Sequence, residues 1–239
     1  MFWHNTFNLI ALGAGASLLA FIFKKERLWI GHAFILGILV LFISRIGTYL
    51  LFSIQAGLWR DSWYDYFRFD LGGMSFFGGF YLAFIVIFIY SKSLRLSFLH
   101  LLDLISPPAA FALAIGRFGC FMEGCCRGFV LPEKWTLPSW IPEHHLFPTP
   151  LLHSIIDAGY GLILMRIPAN SANHGKRIGW FLLLFGIGRF LIEFLRTNPI
   201  IWRGMTNAQI LSIPLIFMGL ILVLFDFRKK NKLMSNPKN

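Results

Sequence analysis

Seven long apolar runs, separated by short polar connections, dominate the pattern of this chain. They cover about residues 7–23, 28–52, 71–90, 98–118, 150–165, 178–195 and 208–225. A helix of about 20 apolar residues crosses the hydrocarbon core of a bilayer, so each run predicts a transmembrane helix. Ionisable residues and prolines interrupt two of the runs: Asp103, Pro107, Pro108 and Arg117 lie in the fourth, and His153 and Asp157 lie in the fifth.

Composition agrees with this pattern. Of the 239 residues, 56% are hydrophobic and 14% are charged, whereas soluble domains carry about 25% charged residues. We therefore predict an all-α polytopic membrane protein with a single transmembrane domain over residues 1–239. The net charge of +11 does not indicate nucleic acid as a partner, because the basic residues lie in the connections, where they set membrane topology.

The basic residues also predict an orientation. With alternating spans, thirteen Lys and Arg residues fall on the side of the C-terminus and five fall on the opposite side. Positive residues accumulate on the cytoplasmic side, so we expect an outside N-terminus and a cytoplasmic C-terminus. The longer connections, at about 53–70 and 119–149, then face outward. Their Trp and Tyr residues favour a position at the membrane surface.

Three arginines lie within or late in the second, fourth and sixth runs, at Arg45, Arg117 and Arg189. All three spans run outward in this topology, so these side chains lie toward the outer half of the membrane and can converge. A charge there costs about 3 kcal/mol by insertion scales and needs a partner or a polar cavity. A buried ion pair or a snorkelling side chain explains any single arginine. Three together favour an anion site, such as one for a phospholipid headgroup, because a guanidinium group matches two phosphate oxygens.

The segment GRFLIEFLR, residues 188–196, places Arg189, Glu193 and Arg196 four and three residues apart. On a continuous helix this spacing puts them on neighbouring turns of one face, where Glu193 can orient one or both arginines. A salt bridge within the helix is the alternative. In DLGGMSFFGGF, residues 70–80, the glycines Gly78 and Gly79 allow either close helix packing or contact with a ligand.

Residues 116–128, GRFGCFMEGCCRG, hold all three cysteines, Cys120, Cys125 and Cys126. Their spacing is neither a paired CxxC framework nor one typical of zinc or iron–sulfur ligands. We therefore expect packed thiols, and we predict no metal site and no cofactor. A covalent intermediate on Cys120 is a remote alternative.

These segments resemble prolipoprotein diacylglyceryl transferases over about residues 44–219. GRFGCFMEGCCRG resembles the family's signature segment, and GRFLIEFLR its arginine–glutamate–arginine helix. FLHLLDLISPP, GGMSFFGGF and NAQILSIP resemble three further motifs, and all five follow the family's order. The resemblance implies transfer of a diacylglyceryl group from phosphatidylglycerol to the thiol of a lipobox cysteine in a prolipoprotein signal peptide. It also implies a bacterial inner membrane location, with the site toward the periplasmic or outer side.

The resemblance assigns candidate residues one by one. Arg117 and Arg189 match the arginines proposed to hold the phosphate, while Glu193, Arg196 and Gly128 match their neighbours. As candidate catalytic residues we name Arg117, Arg189, Glu123 and Glu193. As candidate substrate-binding residues we name Arg45, Gly78, Gly79, Gly128 and Arg196. Phosphatidylglycerol, the signal peptide and membrane lipids are the expected partners.

Several positions depart from the family pattern, mostly where protons are handled. The family's histidine in the GGMSFHGGL-like segment is Phe77 here, and its tyrosine and glutamate in a later segment fall at Leu152 and His153. A substitute base is therefore needed, and Glu123 is the first candidate, with His153 as the second. The alternatives to the standard reaction are a different acceptor, a phospholipid-binding protein without catalysis, or a small transporter.

Overall fold

The computed structural model describes residues 2–56, 76–169 and 174–234. The described chain contains seven α-helices: α1 (Phe2–Lys25), α2 (Gly31–Ala56), α3 (Phe76–Ser93), α4 (Phe98–Glu123), α5 (Thr149–Arg166), α6 (Lys176–Ile192) and α7 (Asn207–Met234). Each predicted apolar run corresponds to one of them. The protein is mostly helical, as an all-α membrane protein should be.

Five helical stretches in the described chain are long and apolar enough to cross a membrane. They are Trp3–Lys25, Gly31–Ile54, Phe98–Glu123, Lys176–Leu195 and Asn207–Phe225. In α3 the apolar stretch Gly78–Ser93 is shorter, and residues 71–75 of the predicted third span lie outside the described residues. The other helix, α5, carries His153 and Asp157 in its first half, which lowers its hydropathy.

The helix ends correct the predicted surface segments. Helix α2 continues to Ala56, and α4 continues five residues past the predicted end, to Glu123. Residues 119–123 therefore belong to a helix, because the chain remains helical until Gly124 takes up a left-handed conformation with φ of 79°. The remaining part of the first segment, residues 57–70, lies outside the described residues.

Helix α4 is the centre of the bundle. It packs against α1, α5 and α6, and more lightly against α3, while α2 joins α1 to α3 and α7 covers α6. Its buried leucines share one apolar core with side chains from several helices, including Phe23, Leu101, Leu104, Leu182 and Phe185. The outer faces of α1, α3 and α7 expose large apolar residues such as Leu9, Ile89 and Phe217. A helix that is apolar on both its packed and its exposed faces is typical of a membrane span.

Glycines allow α2 and α3 to touch through their backbones. A Cβ atom at Gly78 would lie 2.0 Å from the Gly47 carbonyl oxygen, and one at Gly79 would lie 2.5 Å from Thr48 Oγ1. Both glycines thus face α2. This contact agrees with the packing alternative, and the substrate-binding role of Gly78 and Gly79 stays a prediction.

A buried aspartate of α4 fixes the start of α6. Asp103 accepts hydrogen bonds from the backbone N–H groups of Gly175 (2.7 Å) and Ile178 (2.9 Å). These are N–H groups that the helix cannot satisfy within itself. The carboxylate that interrupts the fourth apolar run is therefore a helix cap, and it joins α6 to the central helix.

The end of α6 differs from the predicted continuous helix. The α-helix stops at Ile192, one 3₁₀ turn follows at Glu193–Leu195, and Arg196 is extended with φ of −110° and ψ of 151°. Pro199 lies close behind and disfavours helix at the residue before it. A short hairpin of β1 (Ile200–Trp202) and β2 (Met205–Thr206) then leads into α7. The expectation that Arg196 shares a helical face with Arg189 was wrong.

Candidate functional site

The end of α4, the start of α5 and the end of α6 bring six polar residues together. We call this set the arginine cluster; its members are Arg117, His153, Asp157, Arg189, Glu193 and Arg196. The late parts of α4 and α6 and the first half of α5 meet at one end of the bundle, which explains how residues almost 80 positions apart come together. The predicted topology let Arg45, Arg117 and Arg189 converge, and Arg117 and Arg189 lie in the cluster.

Arg189 is the centre of the cluster and is 7% exposed. Its Nη1 lies 3.2 Å from His153 Nε2 and 3.4 Å from Glu193 Oε2. A guanidinium group only donates hydrogen bonds, so His153 Nε2 is the acceptor and carries no proton in this arrangement. The imidazole is consequently neutral, with its proton on Nδ1.

Glu193 holds several polar groups around itself. Arg196 Nη1 is 3.7 Å from its Oε2, and the Thr206 hydroxyl donates to its Oε1 at 3.1 Å. The amide of Asn198 also donates to Oε1. The side chain of Gln209 accepts from the Thr206 N–H at 3.0 Å, which fixes Thr206 on the hairpin. Glu193 therefore fastens the hairpin to both arginines, so it is more than a bridge within one helix.

Positive charge exceeds negative charge in the cluster. Arg117 is half-buried and lies near His153 and Asp157. Together with Arg189 and Arg196 it places three guanidinium groups beside two carboxyl groups. The Nε atoms of Arg189 and Arg196 are buried and find no hydrogen-bond partner among the described residues. An anion would satisfy both the charge and these donors.

The connection after α4 closes the cluster from one side. A Cβ atom at Gly128 would lie 2.3 Å from the Leu195 carbonyl oxygen, and the next N–H, of Phe129, donates to that oxygen at 3.1 Å. The absence of a side chain at Gly128 therefore lets the connection reach the end of α6. Thr149, at the start of α5, donates from its hydroxyl to the Cys126 carbonyl.

Arg127 holds the same connection against the C-terminal end of α4. Its Nη2 donates to the carbonyl oxygens of Phe121 at 2.9 Å and Pro142 at 2.7 Å. Its guanidinium group also lies over the Phe121 ring, 4.6 Å from the centroid. This arginine was counted only as a topology signal in the sequence, yet it is 8% exposed and organises the segment that carries Gly128.

Glu123 lies at the end of α4, where it contacts the start of α1. Its Oε2 accepts hydrogen bonds from the backbone N–H groups of Trp3 at 3.0 Å and His4 at 3.2 Å. Carboxylates are favoured at a helix N-terminus, which carries partial positive charge. These contacts give the first candidate base a helix-capping role.

Arg45 occupies α2, beside Tyr49 rather than beside Arg189. Its Nη2 donates to the Tyr49 hydroxyl at 2.8 Å, and the guanidinium group lies 4.9 Å from the centroid of that ring. It lies near His4 of α1, which also lies near Arg117. The three predicted arginines thus share one end of the bundle, with Arg117 and Arg189 in the cluster and Arg45 on its flank.

The three cysteines come together, which their spacing did not predict. The sulfur atoms of Cys120, Cys125 and Cys126 lie within 4.8 Å of one another. After α4, the Gly124 N–H donates to Phe121 O and the Cys125 N–H donates to Cys120 O, both at 3.2 Å. This is the Schellman pattern of a helix end, and it folds the chain back over Cys120. In the sequence, Gly124 directly after CFME was the signal that could have indicated this turn.

The polar partners of Glu193 were also missed. Asn198, Thr206 and Gln209 all lie in or beside the hairpin, for which the apolar pattern gives no indication. The best signal was the cluster of polar residues between the sixth and seventh runs, because buried charges need hydrogen-bonding neighbours.

Comparisons with known proteins give one matching family model and several relatives. The family model for prolipoprotein diacylglyceryl transferase matches residues 1–225. A phosphatidylglycerol–prolipoprotein diacylglyceryl transferase of Streptococcus uberis is 35% identical over 167 residues, which cover 66% of this chain and 64% of the relative. The similarly named protein of Clostridium tetani is 31% identical over 172 residues, covering 67% of this chain and 68% of the relative. The match therefore spans just under two thirds of the Streptococcus uberis protein.

Proposed function

We propose a reaction for this chain from the premise that it belongs to the prolipoprotein diacylglyceryl transferase family. The chain transfers the diacylglyceryl group of phosphatidylglycerol to the thiol of a lipobox cysteine in a prolipoprotein signal peptide, and it releases glycerol phosphate. It acts in the bacterial inner membrane, with seven spans, an outside N-terminus and the arginine cluster toward the outer side. The basic residues of the connections support this orientation.

The buried Arg189 is the observation that carries the proposal. It lies deep in the bundle with Nε unpartnered among the described residues, and Arg117 and Arg196 add positive charge nearby. Purely structural ion pairs need no such excess of guanidinium groups. A phosphate at this place receives charge-assisted hydrogen bonds from more than one arginine. The Nε atoms of Arg189 and Arg196 are buried, so these two side chains must move before the lipid headgroup can reach them.

The chemistry is displacement at a glycerol carbon. The acceptor thiolate attacks the glyceryl carbon that carries the phosphate ester, a carbon–sulfur bond forms, and the carbon–oxygen bond breaks. The electron pair of that bond leaves on the phosphate oxygen of glycerol phosphate. Guanidinium groups fixed around the phosphate stabilise the charge as it develops, and they do so most strongly where water is excluded.

His153 is the residue that we propose as the base for the acceptor thiol. In the described arrangement its Nε2 lone pair accepts from Arg189. A phosphate that binds Arg189 competes for that donor and releases Nε2 to take the thiol proton. Glu123 is engaged with the start of α1, so we assign it a positioning role instead.

An apolar groove lies beside the cluster and suits an acyl chain. It measures about 350 Å³ and is lined by residues of α6, the hairpin and α7, namely Phe190, Met205, Ile213, Ile216 and Phe217. Met205 is the neighbour of Thr206, which donates to Glu193. One lining residue of the groove is therefore adjacent in sequence to a hydrogen-bond partner of Glu193.

The test uses purified protein in detergent with phosphatidylglycerol and a lipobox peptide. Peptide mass and released glycerol phosphate are measured together. Arg189→Gln should reduce both products by two orders of magnitude or more, on the scale of about 10²–10³ seen for loss of one transition-state donor. Arg203→Gln, at an exposed arginine of the hairpin, should leave both unchanged.

Three results would count against the proposal in different ways. Release of glycerol phosphate without peptide modification would indicate a different acceptor. Retention of phospholipid that depends on Arg189, with neither product formed, would indicate a binding protein without catalysis. Full activity of Arg189→Gln would remove the phosphate role altogether. For the base, His153→Gln should lower the rate while phospholipid binding persists.

A further inference from the structure

The cysteine trio and a histidine from another helix form an arrangement that the transferase reaction does not use. The three sulfur atoms lie within 4.8 Å of one another, and His4 Nδ1 lies 3.7 Å from Cys120 Sγ. We propose a closed metal site with four protein ligands, Cys120, Cys125, Cys126 and His4. The site binds a soft metal ion, and we expect Zn²⁺ to be that ion. The site ties the start of α1 to the end of α4.

The distance between Cys120 and His4 is close to that of a tetrahedral zinc site, and the sulfur atoms lie within 4.8 Å of one another. With Zn–S bonds of about 2.3 Å and Zn–N bonds of about 2.0 Å, two sulfur atoms lie about 3.8 Å apart, and a sulfur lies about 3.5 Å from an imidazole nitrogen. The distance from Cys120 to His4, 3.7 Å, already matches. The thiols need to contract by an ångström or less.

Local structure holds the ligands in place before any ion binds. The Schellman turn places Cys125 over Cys120, and Cys126 has a left-handed backbone with φ of 60°. Such a conformation is uncommon for a residue with a side chain and marks positions that the surroundings enforce. On α1, the backbone N–H of His4 donates a hydrogen bond to Glu123 of α4, which fixes the position of the backbone that carries the imidazole.

The ligand set and the neighbouring charge select the ion. Thiolates and an imidazole favour Zn²⁺ or Cu⁺ over Mg²⁺ and Ca²⁺, which prefer oxygen ligands. Three thiolates around a divalent ion leave a single negative charge. Arg117 lies close enough to Cys120 and Cys126 to interact with them, so its guanidinium group balances that charge.

A site with four protein ligands leaves no position for water or substrate, which is the hallmark of a structural zinc site. The metal would therefore act on stability and on the placement of Arg117, with no direct part in the transfer step. Binding requires loss of the thiol protons, including the Cys125 proton that now points to the Cys120 carbonyl at 3.6 Å. Metal uptake should accordingly release protons.

The experiment measures metal directly, so it does not depend on the proposed transferase activity. The full chain is purified with a histidine-free affinity tag under reducing conditions and without chelator. Zinc per chain is measured by mass spectrometry, and Co²⁺ is then exchanged into the protein. We expect about one zinc per chain, near-ultraviolet absorption from thiolate-to-cobalt charge transfer, and the visible bands of tetrahedral Co²⁺.

Matched variants show whether these four residues hold the ion. Cys125→Ser and Cys126→Ser should lose the metal, and His4→Ala should weaken binding at least tenfold. His145→Ala, at an exposed histidine of the connection, should bind as the unmodified chain does. Circular dichroism shows that each variant retains its helices, so that loss of metal is not loss of fold.

Three outcomes would overturn the proposal. The first is a metal-free chain whose three thiols all react with a thiol reagent and whose Co²⁺ spectrum lacks the charge-transfer band. The second is a disulfide between two of the three cysteines, shown by a thiol count that rises from one to three on reduction, with no zinc bound to the reduced protein. Metal bound equally by the unmodified chain and by Cys125→Ser would also refute it.

Discussion

Replacing Glu193 by glutamine removes one buried negative charge while keeping the shape of the side chain. In the unmodified chain the carboxylate lies 3.4 Å from Arg189 Nη1 and 3.7 Å from Arg196 Nη1. Its side chain is fully buried at 0% exposure. After Glu193→Gln the amide oxygen can still accept from Thr206, but two guanidinium groups lose their counter-charge.

The size of the effect follows from these contacts. Breaking a buried ion pair by removing one partner costs about 3–5 kcal/mol, because an uncompensated charge is left inside. For a chain of 150–250 residues each kcal/mol lowers the melting temperature by about 2–4 °C. We therefore expect Glu193→Gln to melt roughly 10 °C below the unmodified protein.

The assay is thermal unfolding in detergent micelles, followed by tryptophan fluorescence. Glu143→Gln is the matched control, since its carboxylate is half exposed and lies 3.5 Å from the exposed His145. That pair should contribute at most about 1 kcal/mol. Added phosphatidylglycerol should recover more of the stability of Glu193→Gln than of the control, because its phosphate replaces the missing charge. Equal melting temperatures for the two variants would refute the interpretation of Glu193 as a buried counter-charge.

Three further substitutions test the frame around the site. Asp103→Ala removes the cap of α6 and should cost about 1–2 kcal/mol of unfolding free energy, measured by denaturant titration in mixed micelles. Gly78→Ala places a methyl group against the backbone of Gly47 and should cost about 1–3 kcal/mol through forced separation of α2 and α3, measured in the same way. Arg127→Met loses two charge-assisted hydrogen bonds and should speed proteolysis of the connection after α4, measured by limited digestion.

Each of these has a control in the chain. A Cβ atom at Gly13 meets nothing within 4 Å, so Gly13→Ala should be neutral or slightly stabilising. If Gly78→Ala behaves in the same way, the close packing of α2 and α3 is not needed. Asp103→Asn should keep part of the cap, and equal losses for Asn and Ala would argue against capping. Arg203→Met should leave proteolysis unchanged; a matching increase would mean that any lost arginine loosens the chain.

The apolar pattern was sufficient to place each α-helix of the described residues, because a bilayer demands long apolar segments with their backbone satisfied internally. It was less reliable at helix ends. Helix α4 runs five residues past the predicted end, to Glu123, since the end is decided by the left-handed turn at Gly124. Helix α6 ends early, and Pro199 was the visible reason. Boundaries depend on local backbone chemistry that hydropathy does not record.

The site was partly predictable for a related reason. Arg117 and Arg189 occupy corresponding ends of their helices, so alternating topology alone brings them near each other. The thiol group and its histidine could not be predicted in this way. Their meeting depends on a turn of a few residues and on contact between helices whose partners are 116 positions apart in sequence.

The pairing of α1 with α4 has a consequence for biogenesis. The hydrogen bonds from Trp3 and His4 to Glu123 join residues 120 and 119 positions apart. During synthesis the first helix must therefore wait in the membrane while α2 and α3 are inserted, with its inward-facing Phe23 lacking the α4 neighbours of the finished bundle. Such a late, long-range contact slows assembly and prolongs the exposure of incompletely packed helices. A chain arrested before α4 emerges would present that unsatisfied surface to membrane quality control.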